Sequence, residues 1–148
     1  MSRARVAVTG FGLISALGRG ADENAAALRA GKSGLIGRPE WADDKIRSRV
    51  AGNVDIEPLR TQFDRKESRF LCDAALLAAV AMKDAIEHAG LSQAEVEDPR
   101  TGVVMGTGGA SVPDAVALGD RMRKRGGAKV GAYFVPRIMG SSVTANLG

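Results

Sequence analysis

The chain has 148 residues, 45% hydrophobic and 26% charged, with a net charge of +4, which suits one globular domain with one core and favours an acidic or phosphorylated partner. One cysteine, Cys72, and one histidine, His88, exclude an internal disulfide and a cysteine-rich metal site and argue against zinc. Aromatic residues at 4% without a long basic tract argue against nucleic acid; no run reaches the roughly 20 apolar residues of a membrane span and no secretory pattern opens the chain, so the sequence reads as cytoplasmic.

"RVAVTGFGLISALG" opens with an apolar, β-branched strand that runs into glycines at Gly10 and Gly12. "ADENAAALRAG" follows as a short helix, with Asp22 as its N-cap and Gly31 as its left-handed stop. Residues 32–60 mix Gly, Pro and charge around one apolar alternation, "RVAGNV", and predict loops with a small hairpin. "DRKESRFLCDAALLAAVAMKDAIEHAG" predicts a long helix over 64–89, opened by an Asp64–Glu67 capping box and closed by Gly90. Phe70, Ala74, Leu77, Ala81 and Ala85 form one apolar stripe and Leu71, Ala75, Ala78 and Met82 a second, too wide a face for a surface helix. The helix therefore reads as buried between layers.

"LSQAEVEDP" adds a turn of helix, and "RTGVVMGTGGAS" reads as a second strand entering a turn at Gly106, Gly108 and Gly109. Pro113 opens a helix with a basic C-terminal end, "PDAVALGDRMRKR". "GAYFVPRIMGSSVTANLG" has helical spacing, with Gly140, Ser141 and Ser142 as a thin face for close helix contact. The order β-α-β-α indicates an α/β fold.

Gly10 and Gly12 do not complete a dinucleotide fingerprint. Ser15 stands three positions after Gly12, and Lys32, Ser33 and Gly34 lie where an acidic residue would meet a ribose. The structural alternative is that the two glycines let the chain leave a sheet and pack closely under a helix. Cys72, inside the long helix with no base beside it, reads as core. His88, four residues after Asp84, reads as half of a surface pair on that helix.

Together, "VAVTGFGLISALG", "LRAGKSGL", "FDRKESRFLCDAALLAAVAMKDAIEHAGL", "DPRTGVVMGTGGAS" and "VPRIMGSSVTANLG" resemble the N-terminal half of the β-ketoacyl-acyl-carrier-protein synthases, in particular the KAS I type. The resemblance implies a thiolase-like fold, layered α-β-α-β-α and paired as a homodimer, of which residues 1–148 form most of the N-terminal half. It also implies decarboxylative Claisen condensation in fatty-acid biosynthesis without a resident cofactor. A cysteine thiolate at a helix N-terminus takes the acyl chain, with two histidines and a lysine in support. All four would lie beyond "SSVTANLG", in the remaining C-terminal part of the same enzyme, so residues 1–148 alone would be inactive.

By the same resemblance, Thr107, Gly108 and Gly109 lie beside the acyl pocket, and Met139 reaches across the dimer to line it. The plain alternative is that the glycines form only a turn and Met139 is core. Lys66, Arg69, Arg125 and Lys129 occupy or adjoin positions that resemble the family's docking patch for acidic acyl carrier protein and its phosphopantetheine-linked substrates, with Lys129 one place displaced; the plain alternative is a solvated charged face. A chain-length-factor-like subunit, non-catalytic but with the same fold, is the alternative reading.

Overall fold

The first structured element of the computed structural model, which describes residues 5–109 and 111–148, is a minimal antiparallel hairpin of β1 (Ile14–Ser15) and β2 (Gly18–Arg19). It leads straight into α1 (Gly20–Arg29), where Arg19, not Asp22, takes the N-cap position. Glu23 Oε2 accepts the Arg19 N–H at 2.9 Å, and Asn24 Nδ2 donates to the carbonyls of Gly18 and Gly20. Asp22 falls inside the first turn, where its charge still favours the positive helix end. Gly31, with φ of +64°, gives the left-handed stop read from the sequence.

Within 32–60, β3 (Leu35–Gly37) pairs antiparallel with β4 (Val50–Gly52), Ile36 opposite Ala51. One-turn helices α2 (Glu57–Arg60) and α3 (Arg65–Ser68) follow. The capping box forms as expected: the Asp64 carboxylate accepts the N–H groups of Lys66 and Glu67 at 2.6 and 2.7 Å, and Glu67 Oε2 accepts that of Asp64 at 3.2 Å. The helix expected to run unbroken over 64–89 is nevertheless two. It stops at Ser68, and α4 (Asp73–Ala89) restarts with Cys72 at its N-cap, closing at Gly90 with φ of +66°. The break buries both Leu71 and Cys72, and an Arg60–Asp73 ion pair of 2.8 Å ties α2 to the new helix start.

The chain continues through α5 (Gln93–Val96), with a Ser92–Glu95 capping box, and α6 (Val112–Arg125), N-capped by Ser111 with Pro113 in its first turn. It ends in α7 (Phe134–Ile138) and α8 (Ser142–Leu147). The core is built where α8 lies on α4: Leu71, Cys72, Ala75, Leu76 and Ala79 meet Val143 and Leu147, with Ile56, Leu59 and Phe63 packed around them. Leu76 and Val80 are fully buried, each contributing about 1.5–3 kcal/mol. The buried stripe lies beside the first one read from the sequence, in which Phe70 is 40% exposed and Ala74 is exposed. Ser142 enters the helix contact, but Ser141 is exposed and a Cβ at Gly140 would meet nothing within 4 Å.

Residues 5–13 and 101–107 carry strand-like sequence but join no ladder among the described residues. Val6, Val8 and Val104 are 93%, 88% and 96% exposed. A strand requires a neighbour for its backbone groups, and alternation alone does not supply one. Among the described residues the ladders are the two small hairpins, and the two strands of the expected β-α-β-α order stand unpaired.

Gly10 and Gly12 pack closely against a helix, as the structural alternative requires, but no sheet precedes them among the described residues. A Cβ on Gly12 would sit 1.8 Å from the carbonyl oxygen of Ala81, and one on Gly10 would sit 2.7 Å from that of Ala85 and from Ala89. The spacing matches geometrically, since two residues of extended chain advance about 6.6 Å and four residues of helix about 6 Å. Ala81, Ala85 and Ala89 thus present a smooth helical row to the glycines. His88 Nδ1 accepts the Phe11 N–H at 3.1 Å, and the two rings meet edge to face at 4.7 Å. The expected Asp84–His88 pair is absent because each has a partner in the N-terminal segment; Asp84 takes Arg19, with Nε donating to Oδ2 at 2.7 Å and Nη2 to Oδ1.

The hydrogen bonds from Arg19 hold the Asp84 carboxyl below the ordinary aspartate value of 3.8. A carboxyl whose folded pKa is lowered stabilises the fold above its unfolded pKa and loses that contribution as pH falls through the folded value. Asp84→Asn should therefore cost about 1 kcal/mol at neutral pH, a modest figure because the Arg19 side chain is 39% exposed. In urea titrations the gap between variant and parent should close as pH drops below about 4. A gap that does not narrow at all as pH falls below the ordinary carboxylate range would show that Asp84 acts by something other than its charge.

Candidate functional site

Thr107, Gly108 and Gly109 precede α6 as an exposed turn. The Thr107 hydroxyl donates to the carbonyl of Gly109 at 2.6 Å and accepts its N–H at 3.2 Å. The threonine thus braces its own turn. Added Cβ atoms at Gly106, Gly108 or Gly109 would meet nothing within 4 Å, and none of the three has a positive φ. Neither backbone conformation nor packing within the chain requires glycine here.

Met139 ends α7 in an extended conformation with half its surface exposed, so it is not core within this chain. The two segments are joined by a polar contact that the sequence reading missed. The Ser111 hydroxyl caps α6 and donates to Asp114 Oδ2 at 2.6 Å, while Arg137 Nη2 meets Asp114 Oδ1 at 2.7 Å. Asp114 is buried. The pair ties the helix after the Thr107 turn to the helix before Met139. The Ser-x-x-Asp spacing at Ser111 and Asp114 is a helix-start signal, but nothing local identifies Arg137 as the partner.

Lys66 in α3, Arg69 just after it, Arg125 at the end of α6 and Lys129 in the turn Gly127–Lys129 are all exposed. Arg69 Nη1 donates to the Tyr133 hydroxyl at 2.7 Å, its guanidinium 5.1 Å from the ring centre. That ring packs edge to face on Phe70. Arg121 Nε donates to the Lys129 carbonyl at 3.0 Å and its guanidinium lies 5.8 Å from the Phe134 ring centre. Residues 127–134 therefore connect the Arg69 cluster with the basic end of α6. Arg121 and Tyr133 escaped the sequence reading; the weak signal was a Tyr-Phe pair shortly after a basic run.

Cys72 requires a correction. It stands at a helix N-terminus, not inside a helix, but its side chain makes no capping hydrogen bond and it is buried among Leu71, Ala75, Leu76 and Val143. The opening glycines also offer no diphosphate cradle, because α4 fills the space behind them and His88 takes the Phe11 N–H. The adjoining cleft, about 530 Å³, is rimmed by Asp22, Asp84 and Glu87, which repel a phosphate.

Residues 3–148 match the family model for the β-ketoacyl synthase N-terminal domain. This chain belongs to the β-ketoacyl synthase family. It is similar to the protein named 3-oxoacyl-(acyl-carrier-protein) synthase 1 of Haemophilus influenzae, 42% identical over 97% of this chain and 35% of that protein. The protein of the same name from Escherichia coli is 41% identical over 97% of this chain and 36% of that protein. A crystal structure of a β-ketoacyl synthase from Burkholderia phymatum superposes with a TM-score of 0.75 at 28% identity, covering 95% of this chain and 35% of that one. The thiolase-like fold of the β-ketoacyl synthases is thus the fold of this chain. The chain spans about a third of the length of the curated relatives it matches. No helix among the described residues is long and apolar enough to cross a membrane.

Proposed function

We propose that this chain is the N-terminal part of a cytoplasmic, homodimeric 3-oxoacyl-acyl-carrier-protein synthase of fatty-acid biosynthesis. The observation that carries the reading is identity of 41–42% over 97% of the chain to two proteins named as type 1 synthases. In the reaction, a cysteine thiolate displaces the carrier-protein thiol from an acyl thioester. Malonyl-carrier protein then loses CO2, and the resulting enolate attacks the enzyme-bound acyl carbonyl. The new carbon–carbon bond forms as the cysteine leaves, giving a 3-oxoacyl-carrier protein. Hydrogen-bond donors stabilise the thioester oxyanion and the enolate.

The family resemblance assigns that cysteine, two histidines and a lysine to sequence beyond Gly148. Residues 1–148 then serve as scaffold, docking surface and pocket wall. Open space at Gly108 and Gly109 supports the wall assignment, because glycine that is not needed for the fold leaves room for an alkyl chain. Gly108→Ala in the complete enzyme should leave its melting temperature within about 1 °C while shortening the acyl chains it accepts, read as the product distribution by mass spectrometry. An unchanged distribution would reduce the glycines to a turn.

The activity itself is tested by giving the complete polypeptide acyl-carrier protein and malonyl-carrier protein. One 3-oxoacyl product should form for each CO2 released. Absence of both, with a folded dimer, would rule the reading out and leave a scaffold subunit.

A further inference from the structure

Arginine side chains in a docking patch are flexible, and holding one in place costs rotamer entropy. A patch whose cations are already held presents its charge in one arrangement and loses less freedom when a partner arrives. Arg69 is held in this way. Its guanidinium donates to the Tyr133 hydroxyl at 2.7 Å and lies against the same ring, and Arg69 Nε reaches back to the carbonyl of Arg65 at 3.3 Å. The tyrosine is itself fixed by the edge of Phe70 at 5.1 Å.

Tyr133 stands four residues after Lys129, whose carbonyl is held by Arg121. Arg121, Lys124 and Arg125, with Asp120, line a shallow depression on the exposed side of α6. The segment that carries the one tyrosine of the chain therefore connects two basic clusters more than 50 residues apart in sequence, through Tyr133 on Arg69 and through the Lys129 carbonyl and Phe134 on Arg121. We propose that Tyr133 is a positioning residue for carrier-protein docking, which locks Arg69 in register with the basic end of α6 so that both clusters meet one acidic surface together. The proposal rests on the docking reading of Arg69 given above.

The test uses the complete synthase with two substrates, an acyl chain on carrier protein and the same chain on free pantetheine. Tyr133→Phe keeps the ring on Phe70 and removes the acceptor. It should raise KM for the carrier-protein substrate about threefold, the scale of one net hydrogen bond of about 0.7 kcal/mol, with kcat and the pantetheine reaction unchanged. Arg69→Ala should raise the same KM at least as much, and the double variant should be no worse than Arg69→Ala alone. If Arg69→Ala has no effect, the docking reading of that residue fails. If Arg69→Ala weakens docking but Tyr133→Phe does not, or if the two effects add in full, docking stands and the positioning role is overturned. Equal losses on both substrates would make Tyr133 merely structural and also overturn it.

Discussion

Gly12→Ala should strongly destabilise the fold. The added methyl would be placed 1.8 Å from the carbonyl oxygen of Ala81, 2.8 Å from its carbonyl carbon and 3.0 Å from the Ala85 nitrogen. All three are backbone atoms of α4, so no rotamer change relieves the clash. Either the N-terminal segment lifts off the helix or the helix shifts. Lifting breaks the Phe11–His88 hydrogen bond and strains the Arg19–Asp84 pair beyond it. Overpacking of this kind costs about 3 kcal/mol or more, a large share of a typical domain's stability. Chemical denaturation of parent and variant checks it. A loss below about 1 kcal/mol would mean that the segment does not pack on α4 as described. Gly108→Ala is the internal control, since the same methyl there meets open space.

Asp114→Ala should cost about 2–3 kcal/mol, because it leaves the largely buried Arg137 guanidinium without its carboxylate. Among the described residues Arg137 Nε already has no hydrogen-bond partner. The loss should be local as well as global, since this pair joins the helix after Thr107–Gly109 to the helix before Met139. Removing charge from both sides, as Asp114→Leu with Arg137→Met, should recover most of the stability, since a buried pair replaced by apolar groups of similar volume is often neutral. Thermal melts of the two single variants and the double variant would decide. Purely additive losses would show that the pair is not a unit.

Local physics made some of this molecule legible in advance. The Asp64–Glu67 box and the Gly31 and Gly90 stops each depend on a few neighbouring residues, and each was readable from them. What failed depended on distant partners. Val6, Val8 and Val104 read as strand because their sequence suits one, yet the ladder depends on a neighbour that the pattern cannot reveal. The long helix broke at Leu71 and Cys72 because burial against Val143 and Leu147 favoured a turn over continuity.

Site residues divided the same way. Lys66, Arg69, Arg125 and Lys129 could be named from charge and resemblance, but Tyr133, which meets Arg69, and Arg121, which meets the Lys129 carbonyl, act from other elements. Asp84 and His88 sit one helical turn apart, and sequence spacing suggested that they pair. Three-dimensional competition gave Asp84 to Arg19 and His88 to Phe11.

Peptide mapping of the acyl-enzyme is the most direct check. When the complete polypeptide is loaded from acyl-carrier protein and digested, the acyl mass should fall on a cysteine outside residues 1–148, and Cys72→Ser should load equally well. Acyl groups found on Cys72, or loading abolished by that substitution in a folded dimer, would contradict the division of labour set out here.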